Sequence, residues 1–95
     1  MNIADNHNKE KAISTFSLFK GSEGTTTTIQ ILRNQELKEH ITKVPALLIC
    51  VEGSVNYADE NEADVELLSG DYIFIQPNLK HWLNAGQTSN LLLIK

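Results

Sequence analysis

Short apolar runs separated by turn residues follow one another along the chain from residue 13 onward. Glycine, proline, asparagine and aspartate cluster between the runs and favour tight turns. The pattern predicts strands over residues 13–19, 25–33, 46–51, 54–58, 65–68, 72–75, 81–85 and 91–94. Seven to nine short strands without a helical period indicate a single all-β sandwich or barrel over residues 13–95. Residues 1–12 are polar and lack periodicity, so we expect a flexible N-terminal lead-in.

Residues 46–51 form the most apolar segment of the chain, and both parities of this predicted strand are apolar. Such a run indicates a strand that lies between a core and an interface. Leu47, Ile49 and Val51 share one parity, and the sequence offers no helix to cover them. Because large exposed apolar patches usually mark an interface, we expect the chain to be a homodimer.

Composition narrows the function classes. Eight basic and twelve acidic residues among 95 leave a net charge of −4, which argues against a nucleic-acid partner. The single Cys50 excludes an internal disulfide and a four-cysteine zinc site, and it suits a reducing compartment. No apolar run approaches the roughly 20 residues of a membrane span. The first eleven residues lack the apolar core of a signal peptide, so we expect a cytoplasmic protein without a membrane partner.

Two segments resemble the paired motifs of the cupin superfamily. The first segment begins at His40 and ends in a Val-Glu-Gly that closes at Gly53. The second starts with Gly70-Asp71, continues through an apolar strand and a turn at Pro77, and ends at His81. Pro77 stands one place late, and Asn78 replaces a glycine in a turn where asparagine also tolerates left-handed backbone. The resemblance implies a small single-domain cupin: a jelly-roll barrel.

The resemblance also implies where a metal centre would lie. Transferred position by position, the four ligand positions fall on His40, Thr42, Ala46 and His81. Only the two histidines bind metals well, and a mononuclear site normally needs three or more protein donors. Cys50 shares the parity of Ala46, so its sulfur could supply a third donor. Apolar neighbours would keep this side chain a protonated thiol. The alternative is that Cys50 is an ordinary core residue. We therefore expect a degenerate metal site, with no cofactor or a weakly bound divalent metal on His40 and His81.

These observations lead to a leading function and two alternatives. We expect a cavity whose ligand-binding residues are His40, Thr42, Ala46, Leu48, Cys50 and His81. The leading hypothesis is a protein that binds or senses a small molecule. A cupin enzyme of the dioxygenase or isomerase type, with His40 or His81 as general base, is the alternative, with or without a metal. The third reading is an oligomeric structural protein with a vestigial pocket. We interpret the acidic residues 59–64 as a solvated hairpin tip, and Gly53 as a bulge or a close backbone approach.

Overall fold

The protein is described here by a computed structural model that covers all 95 residues. A short 3-10 helix, Ile3–Asn6, precedes nine β-strands. The strands are β1 (Ile13–Lys20), β2 (Thr25–Ile31), β3 (Glu36–His40), β4 (Ala46–Glu52), β5 (Ser54–Asp59), β6 (Asp64–Leu68), β7 (Tyr72–Ile75), β8 (His81–Ala85) and β9 (Ser89–Ile94). The structure contains no helix whose length and apolar character would suit a membrane crossing.

The strands form two antiparallel sheets that pack face to face as a jelly roll. One sheet has the strand order β1-β2-β9-β4-β7 and the other the order β3-β8-β5-β6. Alternating apolar residues of both sheets meet between them and give a single core of 12 buried side chains. The core excludes water from side chains of both sheets, and this burial supplies most of the stability of a chain of this size. The predicted all-β jelly-roll fold is confirmed.

All eight predicted strands are present, with ends within two residues of the prediction. The ninth, β3, was missed because its sequence, Glu-Leu-Lys-Glu-His, is mostly charged and places only two partly buried residues, Leu37 and His40. It lies at the edge of the four-stranded sheet and pairs with only one strand, β8. An edge strand of this kind carries little of the apolar alternation from which strands are predicted.

The segment predicted as a flexible lead-in is attached to the barrel at His7. The buried His7 ring lies 2.9 Å from the Ser14 hydroxyl through Nδ1 and 2.8 Å from the Thr28 hydroxyl through Nε2. These two residues belong to β1 and β2, so the segment rests on the outer face of the five-stranded sheet. Burial lowers the pKa of His7.

Two positions that the sequence analysis singled out, Asn78 and Gly53, have positive φ. Asn78 has φ +62° in the turn after β7. Gly53, between β4 and β5, has φ +106°, and a Cβ atom there would lie 2.8 Å from the Cα of Ser89. The hydroxyl of Ser89 accepts a hydrogen bond from the backbone N–H of Ser54 at 2.9 Å. Gly53 therefore lets two backbone segments approach more closely than any side chain would permit.

Candidate functional site

One cross-strand row in the four-stranded sheet brings together three titratable side chains of the barrel interior. His40 of β3 pairs with His81 of β8, and His81 pairs in turn with Asp59 of β5. Residues directly opposite each other in antiparallel strands share a face of the sheet. The neighbouring row on that face contains the core residues Tyr57 and Leu83. The three polar side chains therefore project toward the interior, at one end of the core.

The rings of His40 and His81 are in contact, with centroids 4.1 Å apart and planes tilted by 57°. Each ring nitrogen Nδ1 lies 2.9 Å from the carbonyl oxygen two residues earlier, Lys38 for His40 and Leu79 for His81. Since a carbonyl only accepts, each Nδ1 carries the hydrogen and each neutral ring keeps an unprotonated Nε2. Neither Nε2 makes a hydrogen bond within the chain. The row thus contains two neighbouring imidazole rings, each oriented by a backbone hydrogen bond and each with an Nε2 acceptor.

Burial lowers the pKa of His81, and the neighbouring His40 lowers it further. The hydrogen bond to the Leu79 carbonyl and the charge of Asp59 act in the opposite direction without reversing the shift. His81 is accordingly neutral around pH 7, and its Nε2 remains available as an acceptor or a base.

Tyr57 and Asp59 support this pair from β5. The Tyr57 hydroxyl donates to Oδ2 of Asp59 at 2.8 Å, and its ring stacks on His81 with centroids 5.9 Å apart. Oδ1 of Asp59 accepts from the backbone N–H groups of Asn61 and Ala63 at 2.9 and 3.1 Å. Burial, together with the hydrogen bond to Asp59 and its charge, raises the pKa of Tyr57. Tyr57 therefore stays protonated, and both oxygens of Asp59 are occupied within the chain.

The sequence analysis missed these two residues. Asp59 was interpreted as part of a solvated hairpin tip, but it is buried and its carboxylate holds the turn between β5 and β6. The signal was present in the sequence, because Val55, Tyr57 and Asp59 alternate with period two and so must share a face of β5. An aspartate that continues an apolar alternation is a candidate for the interior.

Thr42 and the three β4 residues are distributed differently from the two histidines. Thr42 is buried in the loop after β3, where its hydroxyl donates to the Val44 carbonyl at 2.9 Å. Ala46, Leu48 and Cys50 belong to the hydrophobic core. Neither these four residues nor His40 and His81 line any of the four cavities in the structure.

The interior therefore differs from the expected open cavity, because core side chains fill it. Of the six predicted site residues, His40 and His81 are in ring contact, whereas Ala46, Leu48 and Cys50 lie in the hydrophobic core. Burial raises the pKa of the Cys50 thiol, with the charge of Asp71 acting in the same direction. This shift agrees with an unreactive core thiol.

The donor set does not fit a mononuclear metal centre. No group of three or more His, Cys, Asp or Glu side chains is arranged to hold a metal ion. Thr42 and Ala46 stand where the resemblance implies ligands, and the nearby Asp59 already uses both of its oxygens. Two imidazoles fall short of the three protein ligands that a mononuclear zinc or iron site usually has.

Comparison with known proteins gives one sequence relative. No protein-family model matches the chain. An acireductone dioxygenase from Granulibacter bethesdensis is 32% identical over 66 residues, which cover 66% of this chain. The match spans only 37% of the length of that relative.

Solved structures give many more matches. A cupin superfamily protein from Desulfitobacterium hafniense superposes with a TM-score of 0.86 at 11% identity, over 98% of this chain and 84% of its own. An RmlC-like cupin from Shewanella frigidimarina superposes with a TM-score of 0.81 at 17% identity, over 93% of this chain and 78% of its own. KdgF from a Halomonas species superposes with a TM-score of 0.79 at 16% identity, over 92% of this chain and 82% of its own. At such low identity these likenesses concern the fold alone.

Proposed function

Starting from the small single-domain cupin fold of this chain, we propose that it binds or senses a small polar molecule through the paired Nε2 atoms of His40 and His81. The protein does so with no resident metal, or with a divalent metal that is only weakly held. The observation that carries the proposal is the fixed orientation of both rings, each held by a hydrogen bond from Nδ1 to a backbone carbonyl.

The two acceptor atoms define the chemistry of the ligand. Two imidazole Nε2 acceptors on neighbouring rings recognise a molecule that offers two hydrogen-bond donors, such as neighbouring hydroxyl or amide groups. His40 is only partly buried while His81 is buried, so the pair runs from the surface toward the core. Because the core is filled, the ligand lies at the end of the barrel beside His40 rather than deep among Leu48 and Cys50.

The experiment is a thermal-shift screen of polar metabolites in buffer that contains EDTA. We expect at least one compound to raise the melting temperature of the wild type in a concentration-dependent manner, because a ligand that binds only the folded state stabilises it. The same compound should have no effect on His40→Ala. The matched control is Lys80→Ala, an exposed residue that directly precedes His81 in the chain, which should respond like the wild type. Stabilisation that persists in His40→Ala, or that requires added metal, would overturn the proposal.

A second candidate is a cupin enzyme that uses His40 or His81 as a general base. It is favoured by the neutral state of His81 and by the dioxygenase name of the sequence relative. In this chain, the free Nε2 would accept a proton from the ligand, and Asp59 would stabilise the resulting imidazolium from the neighbouring strand.

Turnover of the compound found in the screen separates the two candidates. A base role gives product formation that falls as the pH drops and His81 becomes protonated, and the activity disappears in His81→Gln. A binding protein returns the compound unchanged. The net charge of −4 and the free Cys50 accord with a small-molecule partner in a reducing compartment, which we propose to be the cytoplasm.

A further inference from the structure

A polar cavity lies between the N-terminal segment and the outer face of the five-stranded sheet. Lys9 lines it from the segment, and Gln30 of β2, Glu52 of β4 and Asn90 of β9 line it from the sheet. The strand registers place these three sheet residues side by side in one cross-strand row, with Asn90 in the middle. The cavity has a volume of about 350 Å³. Ligand sites range from about 300 to 1,000 Å³, so this volume suits a small molecule.

The N-terminal segment is fixed beside this cavity by His7. The His7 ring lies 2.9 Å from the Ser14 hydroxyl and 2.8 Å from the Thr28 hydroxyl, and all three side chains are buried. Ser14 is the cross-strand partner of Gln30, and Lys9 follows His7 by two residues. Because the attachment point adjoins the row of cavity residues, the segment forms a positioned wall of the cavity.

The side chain of Gln30 lacks one hydrogen bond. Its Oε1 is the only buried side-chain nitrogen or oxygen of the protein without a hydrogen-bond partner, and the residue is 3% exposed. Its Nε2 donates to Oδ1 of Asn90 at 3.2 Å, so that end of the amide is already paired. A buried acceptor without a donor costs stability, and native proteins seldom contain one. A molecule in the adjoining cavity that donates an N–H or O–H would supply the missing partner.

Two opposite charges line the same cavity. Lys9 and Glu52 are both exposed, and neither forms an ion pair within the chain. Thr88 also lines the cavity, and its hydroxyl accepts from the backbone N–H of Arg33 at 3.1 Å. This hydroxyl keeps its own hydrogen free to donate. The cavity therefore offers donors for an anionic group at Lys9 and Thr88, and a carboxylate for a cationic group at Glu52.

We propose that this cavity binds a small zwitterion of the α-amino-acid class. The ammonium group of the ligand donates to Oε1 of Gln30 and to the Glu52 carboxylate. The carboxylate group of the ligand accepts from Lys9 and from the Thr88 hydroxyl. A simple anion or cation would pair with only one of the two charges that line the cavity. The site is separate from the paired histidines, which belong to the four-stranded sheet.

Titration of the full-length ¹⁵N-labelled chain with each of the common L-α-amino acids, followed by nuclear magnetic resonance, tests this proposal. The side-chain amide signals of Gln30 and Asn90 report directly on the cavity. We expect at least one amino acid to shift both signals in a saturable manner at millimolar concentration. The N-acetyl derivative and the methyl ester of that amino acid each lack one charge. Each should bind at least about fivefold more weakly, because one charged hydrogen-bonding group is lost.

Substitutions at the cavity separate its individual contacts. Gln30→Leu removes the buried acceptor and should weaken binding about tenfold. Lys9→Gln and Glu52→Gln change exposed side chains and so leave the fold intact, and each should weaken binding about threefold. The matched control is Lys11→Gln, an exposed lysine of the same segment that does not line the cavity. It should bind the amino acid as the wild type does.

Three outcomes would overturn the proposal. The first is that no amino acid shifts the Gln30 and Asn90 signals, which would leave the cavity as a site for water only. The second is that the N-acetyl derivative and the methyl ester bind as tightly as the free amino acid. The third is undiminished binding in the folded Lys9→Gln and Glu52→Gln variants, which would place the amino acid elsewhere on the chain.

Discussion

The imidazole rings of His40 and His81 lie 4.1 Å apart between centroids because the two residues are direct partners in adjacent antiparallel strands. Each is the terminal residue of its strand on that side, His40 ending β3 and His81 beginning β8. Backbone carbonyls two residues earlier hold both rings through Nδ1. Histidines that bind metals in other proteins are oriented by the same kind of hydrogen bond.

Restoring the other two ligands should restore metal binding. The double variant Thr42→His with Ala46→Glu would place three histidines and a glutamate at the positions that the cupin resemblance implies. We expect zinc or nickel to stabilise this variant by about 2.7 kcal/mol at a free metal concentration of 100 times the dissociation constant. Thermal unfolding with and without metal measures the gain.

The wild type is the control for the double variant and should shift little under the same conditions. In EDTA the double variant should be less stable than the wild type, because Glu at position 46 would bury a carboxylate among apolar side chains. A folded double variant with no metal response would show that positions 42 and 46 do not face His81.

Tyr57→Phe tests the support of the site from β5. The change removes the hydroxyl that donates to Asp59 and leaves a buried carboxylate oxygen without that partner. We expect a loss of about 1–3 kcal/mol in the free energy of unfolding, measured by urea denaturation. Tyr72→Phe removes an exposed hydroxyl and should change stability by less than about 0.5 kcal/mol. Equal effects of the two changes would contradict a structural role for the bond between Tyr57 and Asp59.

Gly53→Ala tests the close approach between β4–β5 and β9. The added Cβ combines a positive φ with a clash against the backbone of Ser89, so we expect destabilisation by about 2–4 kcal/mol. Gly70→Ala is the matched control, since φ there is +92° but no atom lies within 4 Å of the added Cβ. It should cost only about 1 kcal/mol from backbone conformation. If both substitutions lower the melting temperature by the same amount, the clash with the Ser89 backbone is ruled out as a cause.

Histidine burial makes the fold sensitive to acid. Burial lowers the pKa of His7 in the folded chain, so the unfolded chain takes up this proton first as the pH falls. The stability that neutral His7 contributes is therefore full above the unfolded pKa of about 6.5 and is lost as the pH drops through that value toward the folded pKa. Urea midpoints across this range should fall less steeply with acidification in His7→Asn than in the wild type. If the two proteins show parallel pH profiles, His7 does not cause the loss of stability in acid. The pKa of His81 is also lowered, so His81 would then be the source of that loss.

The strands of the core could be predicted because period-two alternation records burial on one face. The pattern of Ala46, Leu48 and Cys50 placed these residues inside, and the structure confirms that they are buried. The same pattern could not distinguish a side chain that lines an open cavity from one that fills the core, since both face inward. That distinction depends on how the opposite sheet packs, which is a property of contacts far apart in the sequence.

The two histidines lie 41 positions apart along the chain, and only the resemblance to cupin motifs brought them together before the structure did. Tyr57 and Asp59 could have been assigned to the interior from alternation alone. Their proximity to His81 could not have been predicted in this way, because it depends on the register between β5 and β8. The anchoring of His7 was likewise hidden, since its partners Ser14 and Thr28 look like ordinary exposed strand residues in the sequence.

Native mass spectrometry in the presence of EDTA tests the central claim most directly, namely that the paired Nε2 atoms bind a small molecule without a resident metal. The sample is the wild-type chain with the compound that stabilises it in the metabolite screen. Our account predicts one molecule of the compound per chain, no metal mass, and loss of the complex in the double variant His40→Ala with His81→Ala. A complex that forms only after a divalent metal is added, or that survives in the double variant, would contradict it.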